Sequence, residues 1–257
     1  MEKDIILLLS GFIVGAMNAI AGGGMLVGFP VLVALGIPPI TASATGTVIT
    51  TPGQIASAIG YWKYLRKVPI RYAQLLVPTV IGAILGALTL RNTSPHDFAR
   101  MVPALVLFGV VLFAFQPLLH LHLHRHLKGS LKGRTKKALP LVILGLPMIP
   151  ICFYGGYFGA GYGFLMLAFL GFTSLPDTHM INAMKNVSAI FVSTTSMICI
   201  YSAHLIDWRV GLIAAIGAAA GGFLGARGAQ RMSSHWLRIA IICIGLAAVV
   251  YLALQQY

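Results

Sequence analysis

Ten apolar runs fill this chain, at 4–20, 24–36, 40–63, 72–90, 101–118, 139–156, 161–172, 177–203, 209–227 and 237–255, with short polar or turn-rich breaks between them. In lipid a backbone must satisfy its own hydrogen bonds, so such runs become helices or closed barrels, and runs this long without alternation read as helices. A crossing of the ~30 Å hydrocarbon layer takes roughly 20 residues. Ten such segments leave no room for an extramembrane domain in 257 residues. Charged side chains make up 9% of the chain, against about 25% in an ordinary soluble domain. The expected fold is an all-α integral membrane protein, which excludes a soluble enzyme.

Two runs, 24–36 and 161–172, are too short to cross alone: at ~1.5 Å per residue they reach about 18–20 Å. Each follows a glycine cluster. The chain also repeats: Gly82 and Gly86 return as Gly221 and Gly225, Ser94 and His96 as Ser233 and His235, Gly36 as Gly171, and Tyr61 as Tyr201. These matches, in order and with a glycine-led short run in each half, point to a duplicated five-segment unit. The expected organisation is an N-terminal membrane repeat (1–118), a basic cytoplasmic linker (119–138) and a C-terminal membrane repeat (139–257).

An odd number of segments sends the second copy into the membrane from the opposite side, and positive charge tests this, because Lys and Arg stay cytoplasmic. The chain carries 18 Lys and Arg against 5 Asp and Glu, a formal charge of +13. With the linker inside, the inner connections hold Lys63, Arg66, Lys67 and Arg71; Arg125, Lys128, Lys132, Arg134, Lys136 and Lys137; and Arg227, Arg231 and Arg238. Outside fall Lys3, Arg91, Arg100 and Arg209. The bias fits inverted repeats with both termini outside. Met1 to Asp4 and the run after them lack the basic start and small-residue cleavage site of a secretory signal, so a retained first span is expected. Charge confined to connections is not a nucleic-acid-binding face.

Three consecutive glycines, Gly22, Gly23 and Gly24, interrupt a membrane helix ahead of Met25, and irregular backbone at depth is tolerated only inside protein or beside a wet cavity. The amides and positive dipole end of the following helix would make an anion site without a charged side chain. Gly159, Gly161, Tyr162 and Gly163 hold the same place in the second half. Close packing through small residues is the bland alternative. Lys185 is the one basic residue placed well inside a span, where an ionisable group is expensive. It could snorkel to the interface, but Asn182 and Asn186 beside it gather donors around a fixed charge. Thr41, Ser43, Thr45, Thr47, Thr50 and Gln54 supply neutral donors in the matching segment of the first half.

All five acids, Glu2, Asp4, Asp97, Asp177 and Asp207, fall at segment ends or in connections, so no mid-depth carboxylate stands ready for a sodium ion, a metal or a relayed proton. The expectation is no metal and no cofactor. Proton coupling would have to use a histidine such as His179 or His204, or the substrate itself. The alternating His120, His122, His124 and His126 do not share a helical face, and the basic residues after them would repel a cation, so they read as a lipid-contacting linker. Trp62, Trp208 and Trp236 read as interface anchors. Cys152, Cys199 and Cys243, isolated in apolar runs, read as small hydrophobes. No nucleophile triad or phosphate loop can be assembled, so the chain is not expected to be an enzyme.

The stretch Gly15-Ala16-Met17-Asn18-Ala19-Ile20-Ala21-Gly22-Gly23-Gly24-Met25-Leu26, with Phe29-Pro30, Leu35-Gly36-Ile37-Pro38-Pro39 and Thr41-Ala42-Ser43-Ala44-Thr45, resembles the opening of the TauE/SafE sulfite exporter family, also called toluene sulfonate uptake permeases. The likeness runs over nearly the whole length. In the second half Gly159-Ala160-Gly161-Tyr162-Gly163 departs from the pattern by interrupting the glycines with an aromatic. The resemblance implies transport of sulfur anions such as sulfite, sulfoacetate or other organosulfonates across a bacterial cytoplasmic membrane, usually export, without ATP hydrolysis. The expected partners are thus a small anionic sulfur substrate and membrane lipid. Import of another sulfur anion such as thiosulfate, and a non-transporting scaffold subunit, are the alternatives.

Overall fold

A computed structural model describes residues 2–111 and 141–229, apart from 172, 174 and 176, together with 246, 247, 249 and 250. The linker with its histidines, Trp236 and Cys243 lie outside the described residues. Among these residues the regular structure is helical throughout. In chain order it comprises α1 (Glu2–Ile20), α2 (Met25–Ala34), α3 (Pro39–Gly60), the single turn α4 (Trp62–Leu65), a 3-10 turn (Ile70–Leu75) running into α5 (Leu76–Asn92), α6 (95–111), α7 (Leu141–Tyr157), α8 (Tyr162–Leu170), α9 (Thr178–Tyr201) and α10 (Trp208–Gly228). Among the described residues four stretches are long and apolar enough to cross a membrane: α1, Ile70–Asn92, α9 and α10. At ten and nine residues, α2 and α8 span about 15 Å each at ~1.5 Å per residue, so they are half-helices. The protein is an all-helical, multi-pass membrane protein.

Helix ends follow local chemistry. Pro38 and Pro39 open α3, where a missing amide proton costs nothing. Ser94 starts α6: its hydroxyl donates to Asp97 Oδ2 at 2.6 Å and accepts from the Asp97 amide at 3.1 Å. That contact holds the exposed Asp97 carboxyl below the ordinary carboxylate range. Asp177 accepts from the His179 amide at 2.8 Å and Asp207 from the Val210 amide at 3.0 Å, capping α9 and α10. Asp4 meets Arg209 at 3.5 Å at the surface. These acids therefore serve helix starts and the surface, and none of them faces a mid-depth site.

Packing partnerships in one half have counterparts in the other. α1 packs on α10 as α7 packs on α5; α3 packs on α10 as α9 packs on α5; α2 sits against α1 and α3 as α8 sits against α7 and α9. α3 and α9 meet directly between the halves. Four of the repeated glycines of the sequence make contacts of this kind. A Cβ on Gly82 would lie 2.5 Å from the Ile149 carbonyl oxygen of α7 and one on Gly86 would run into that of Phe153. Gly221 and Gly225 stand likewise against Phe12 and Ala16 of α1. In lipid, association of helices comes from close packing rather than apolar transfer, so small residues inside and large ones outside are expected. Ile5, Leu9 and Ile13 of α1, Val77, Ile81 and Leu85 of α5, and Leu212, Ile216 and Leu224 of α10 form the exposed apolar face.

Candidate functional site

The polar residues of α3 and α9 cannot face hydrocarbon cheaply, and the two helices turn them toward each other and toward both glycine breaks. Thr50, Gln54, Lys185, Asn186 and Ser193 are all buried. They sit around or beside a cavity of about 40 Å3 bounded by the helix breaks, α3 and α9. By the measure that gives one water about 10–15 Å3, this holds some three waters or one small oxyanion.

The two breaks touch. Gly22, at φ +91°, and Gly163 lie backbone against backbone, and the Gly163 amide donates to the Gly22 carbonyl at 3.2 Å. A Cβ on Gly22 would stand 2.5 Å from Gly163 Cα, and the left-handed φ strains any other residue. Gly159 and Gly161, at φ +77° and +86°, turn the second break the same way.

Lys185 is 1% exposed, and its ammonium donates to the Asn18 carbonyl at 2.6 Å. None of the five acids, all among the described residues, pairs with it. A lysine ammonium has three protons to give, so one backbone carbonyl leaves it under-satisfied. A buried charge without a counter-charge is costly. Beside it, Asn186 is also 1% exposed, and neither Nδ2 nor Oδ1 has a hydrogen-bond partner. Across the cavity Gln54 Oε1 accepts from the Ser193 hydroxyl at 2.8 Å, so Gln54 can still offer its NH2 group to a guest. The arrangement is one cation plus amide donors with no counter-charge, which suits a small monoanion.

Of the residues expected at the site, Gly22, Met25, Gln54, Gly159, Tyr162, Gly163, Lys185 and Asn186 line the cavity. Gly23, Gly24, Thr45, Gly161 and Asn182 do not, each for a local reason. Gly23 faces the Phe164 ring, and Gly161 approaches Gly109. Thr45 accepts from the Asp207 amide at 3.0 Å and so ties α3 to the start of α10. Asn182 lies one turn nearer the start of α9. Gly24 gives its amide to Asn18 Oδ1 at 2.8 Å.

The last contact alters the chemistry expected of the breaks. The Leu26 and Val27 amides bond the Gly23 and Gly24 carbonyls, and those of Tyr162 and Phe164 bond the Gly159 and Gly161 carbonyls. Most amides at the two half-helix starts are thus engaged within the protein, and the breaks contribute mainly space and close approach. The threonines also give less than expected. Thr47 and Thr50 donate to the Ala44 and Gly46 carbonyls of their own helix, so their hydroxyl protons are not free for an anion.

Asn18 is the residue that spacing alone did not single out. Its side chain caps the first break while its carbonyl holds Lys185. The signal was an asparagine in the last turn of an apolar run, six residues before Gly24. Ser43, Gly46, Gly155, Gly156, Phe158 and Ser193 also line the cavity. Gly46 and Gly155 make room for Met25 and for the Tyr162 ring, whose hydroxyl turns away toward Cys152 Sγ at 3.9 Å.

The family model described as Sulfite exporter TauE/SafE matches residues 7–252. Among curated proteins, the chain is 29% identical over 228 residues to a "Probable membrane transporter protein" of Haemophilus influenzae, covering 86% of this chain and 83% of that one. It is 28% identical to "Probable membrane transporter protein ORF9" of a Sinorhizobium species, over 96% and 90% of the two chains. It is also 28% identical to "Probable membrane transporter protein YfcA" of Escherichia coli K12, over 88% and 79%. No solved structure matches it.

Proposed function

The chain belongs to the TauE/SafE sulfite exporter family, and from that premise we propose that this membrane transporter carries small sulfur-containing monoanions, hydrogensulfite or short organosulfonates, through the Lys185 cavity by alternating access. The family description supports export as the direction. The observation that carries the reading is Lys185 itself: a buried ammonium beside an unpartnered Asn186 amide, with no carboxylate paired to it. An anion there would neutralise the charge and supply acceptors to two ammonium protons and to the Asn186 and Gln54 NH2 groups. One positive charge favours a single negative one, because a dianion would leave net charge in a low-dielectric site.

The exchange of packing partners between the halves supports a reading as two inverted repeats, 1–118 and 139–257, joined by a cytoplasmic linker. α3 and α9 meet and both line the cavity, so rocking one half against the other would open it to one face at a time.

Lys185→Met keeps the side-chain length and removes the charge. In proteoliposomes it should cut methanesulfonate or sulfite flux about tenfold or more, matching loss of one charged hydrogen bond. Folded yield and thermal midpoint should hold or rise, since an unpaired buried charge is removed. Unchanged flux would remove Lys185 from the site.

A further inference from the structure

The start of α9 carries a row of polar groups that begins in the cavity at Asn186 and continues beyond it. His179, Asn182 and Asn186 are spaced three and four apart, which places them on one side of the helix. His179 Nδ1, Asn182 Oδ1 and both Asn186 amide atoms are buried without a partner, and so is the hydroxyl of Tyr61, a fully buried residue. Tyr61 follows α3, and its ring lies 6.2 Å from the His179 ring; the Tyr64 ring lies tilted against His179 at 4.7 Å. Buried polar atoms in folded proteins are nearly always paired by protein or water. From residue 179 to 186 these groups run along about 10 Å of helix at ~1.5 Å per residue. A file of such atoms is completed by water or by a polar guest.

This file has a direction. One end is Asn186, in the cavity wall. The other is the Tyr61–Tyr64–His179 cluster, where Lys63 lies 5.9 Å over the Tyr64 ring and the basic stretch through Arg71 begins. We propose that Tyr61, His179 and Asn182 form a hydrated transit site through which the anion passes between the Lys185 cavity and the basic end of the bundle, with the Tyr64 and His179 rings, in contact, closing it in this conformation. The inference rests on the reading of the cavity as an anion site. The hydroxyl and imidazole offer donors and Asn182 Oδ1 offers an acceptor, a mixed set that suits an anion travelling with its water rather than one held dry.

Asn182 separates this transit site from the cavity, because it belongs to the first and not to the second. Asn182→Leu replaces the amide with an apolar group of similar size, and Asn182→Ser keeps a polar, water-sized opening. Methanesulfonate binding to purified protein should stay within about twofold in both variants, while flux in proteoliposomes should fall about tenfold or more in Asn182→Leu and be largely kept in Asn182→Ser. Unchanged flux in the leucine variant, equal loss of binding and flux, or a serine variant as slow as leucine would each overturn the proposal. A second readout does not depend on transport. Asn182→Cys should react with an impermeant anionic methanethiosulfonate added on the side of the basic stretch, above the background of the native cysteines, and not from the other side. Absence of that labelling overturns the transit site. If methanesulfonate neither binds to nor crosses with the unaltered chain, the reading of the cavity fails and the labelling alone decides the path.

Discussion

The two glycine breaks do the same backbone job with different side chains. Both end a long helix, turn through a left-handed glycine, Gly22 or Gly159, and start a half-helix. At the first, Asn18 ties the break together with an amide and a carbonyl, and the same residue holds Lys185. At the second, Tyr154 reaches the Ala160 carbonyl at 2.7 Å and the Leu105 carbonyl at 3.3 Å, and Phe158 packs edge-on against Phe29 at 5.2 Å. The residue that corresponds to Asn18, four before the turn, is Gly155. A Cβ there would stand 2.6 Å from the Tyr162 ring, so no capping side chain fits. Two similar backbone turns thus flank a one-sided cavity. One break is coupled to the charge, and the other supplies wall and support.

The largest effect tests what the breaks share. Gly22→Val forces a branched side chain into a left-handed φ and into Gly163. Strain plus overpacking should cost about 3–5 kcal/mol, seen as collapse of folded yield and thermal midpoint. Gly36→Ala, also at positive φ but with nothing within 4 Å of the added Cβ, should cost about 1–2 kcal/mol from the conformation alone. Similar losses in the two variants would mean that the Gly22–Gly163 approach is unimportant.

Next comes the difference between the breaks. Asn18→Ala removes the cap of the first break and should cost about 1–2 kcal/mol, read as a lower thermal midpoint. It should also weaken anion binding, because the carbonyl that positions Lys185 loses its anchor. The smallest effect belongs to the second break. Tyr154→Phe deletes one hydroxyl and should cost about 1 kcal/mol with anion affinity unchanged. Equal loss of affinity in both variants would erase the distinction drawn between them.

Much of this fold was legible in the sequence because lipid makes strict demands. The apolar runs 4–20, 24–36 and 161–172 match α1, α2 and α8 closely, and Gly82 and Gly86 sit at interhelical contacts that match those of Gly221 and Gly225. The cavity was partly legible: a lysine in an apolar run and glycines before short helices are locally expensive features, and they come together. What spacing could not show was how hydrogen bonds are shared across the fold. Gly24's amide is taken by Asn18, Thr45 is taken by Asp207 from 162 residues away, and Thr47 and Thr50 turn back on their own helix. Each competes with a ligand for the same donor or acceptor, and the competition is decided by tertiary neighbours. Asn182 fell one helix turn beyond the cavity for a similar reason: periodicity gives the side of a helix, and the depth of a site comes from what crosses it.

Selenite, a heavier analogue of sulfite, would locate the guest directly by anomalous scattering from crystals of the protein. The account predicts a selenium peak inside the cavity, with oxygens about 3 Å from Lys185 Nζ and the Asn186 amide, and no such peak in Lys185→Met crystals. A peak elsewhere in the bundle, or one that survives the loss of Lys185, would contradict it.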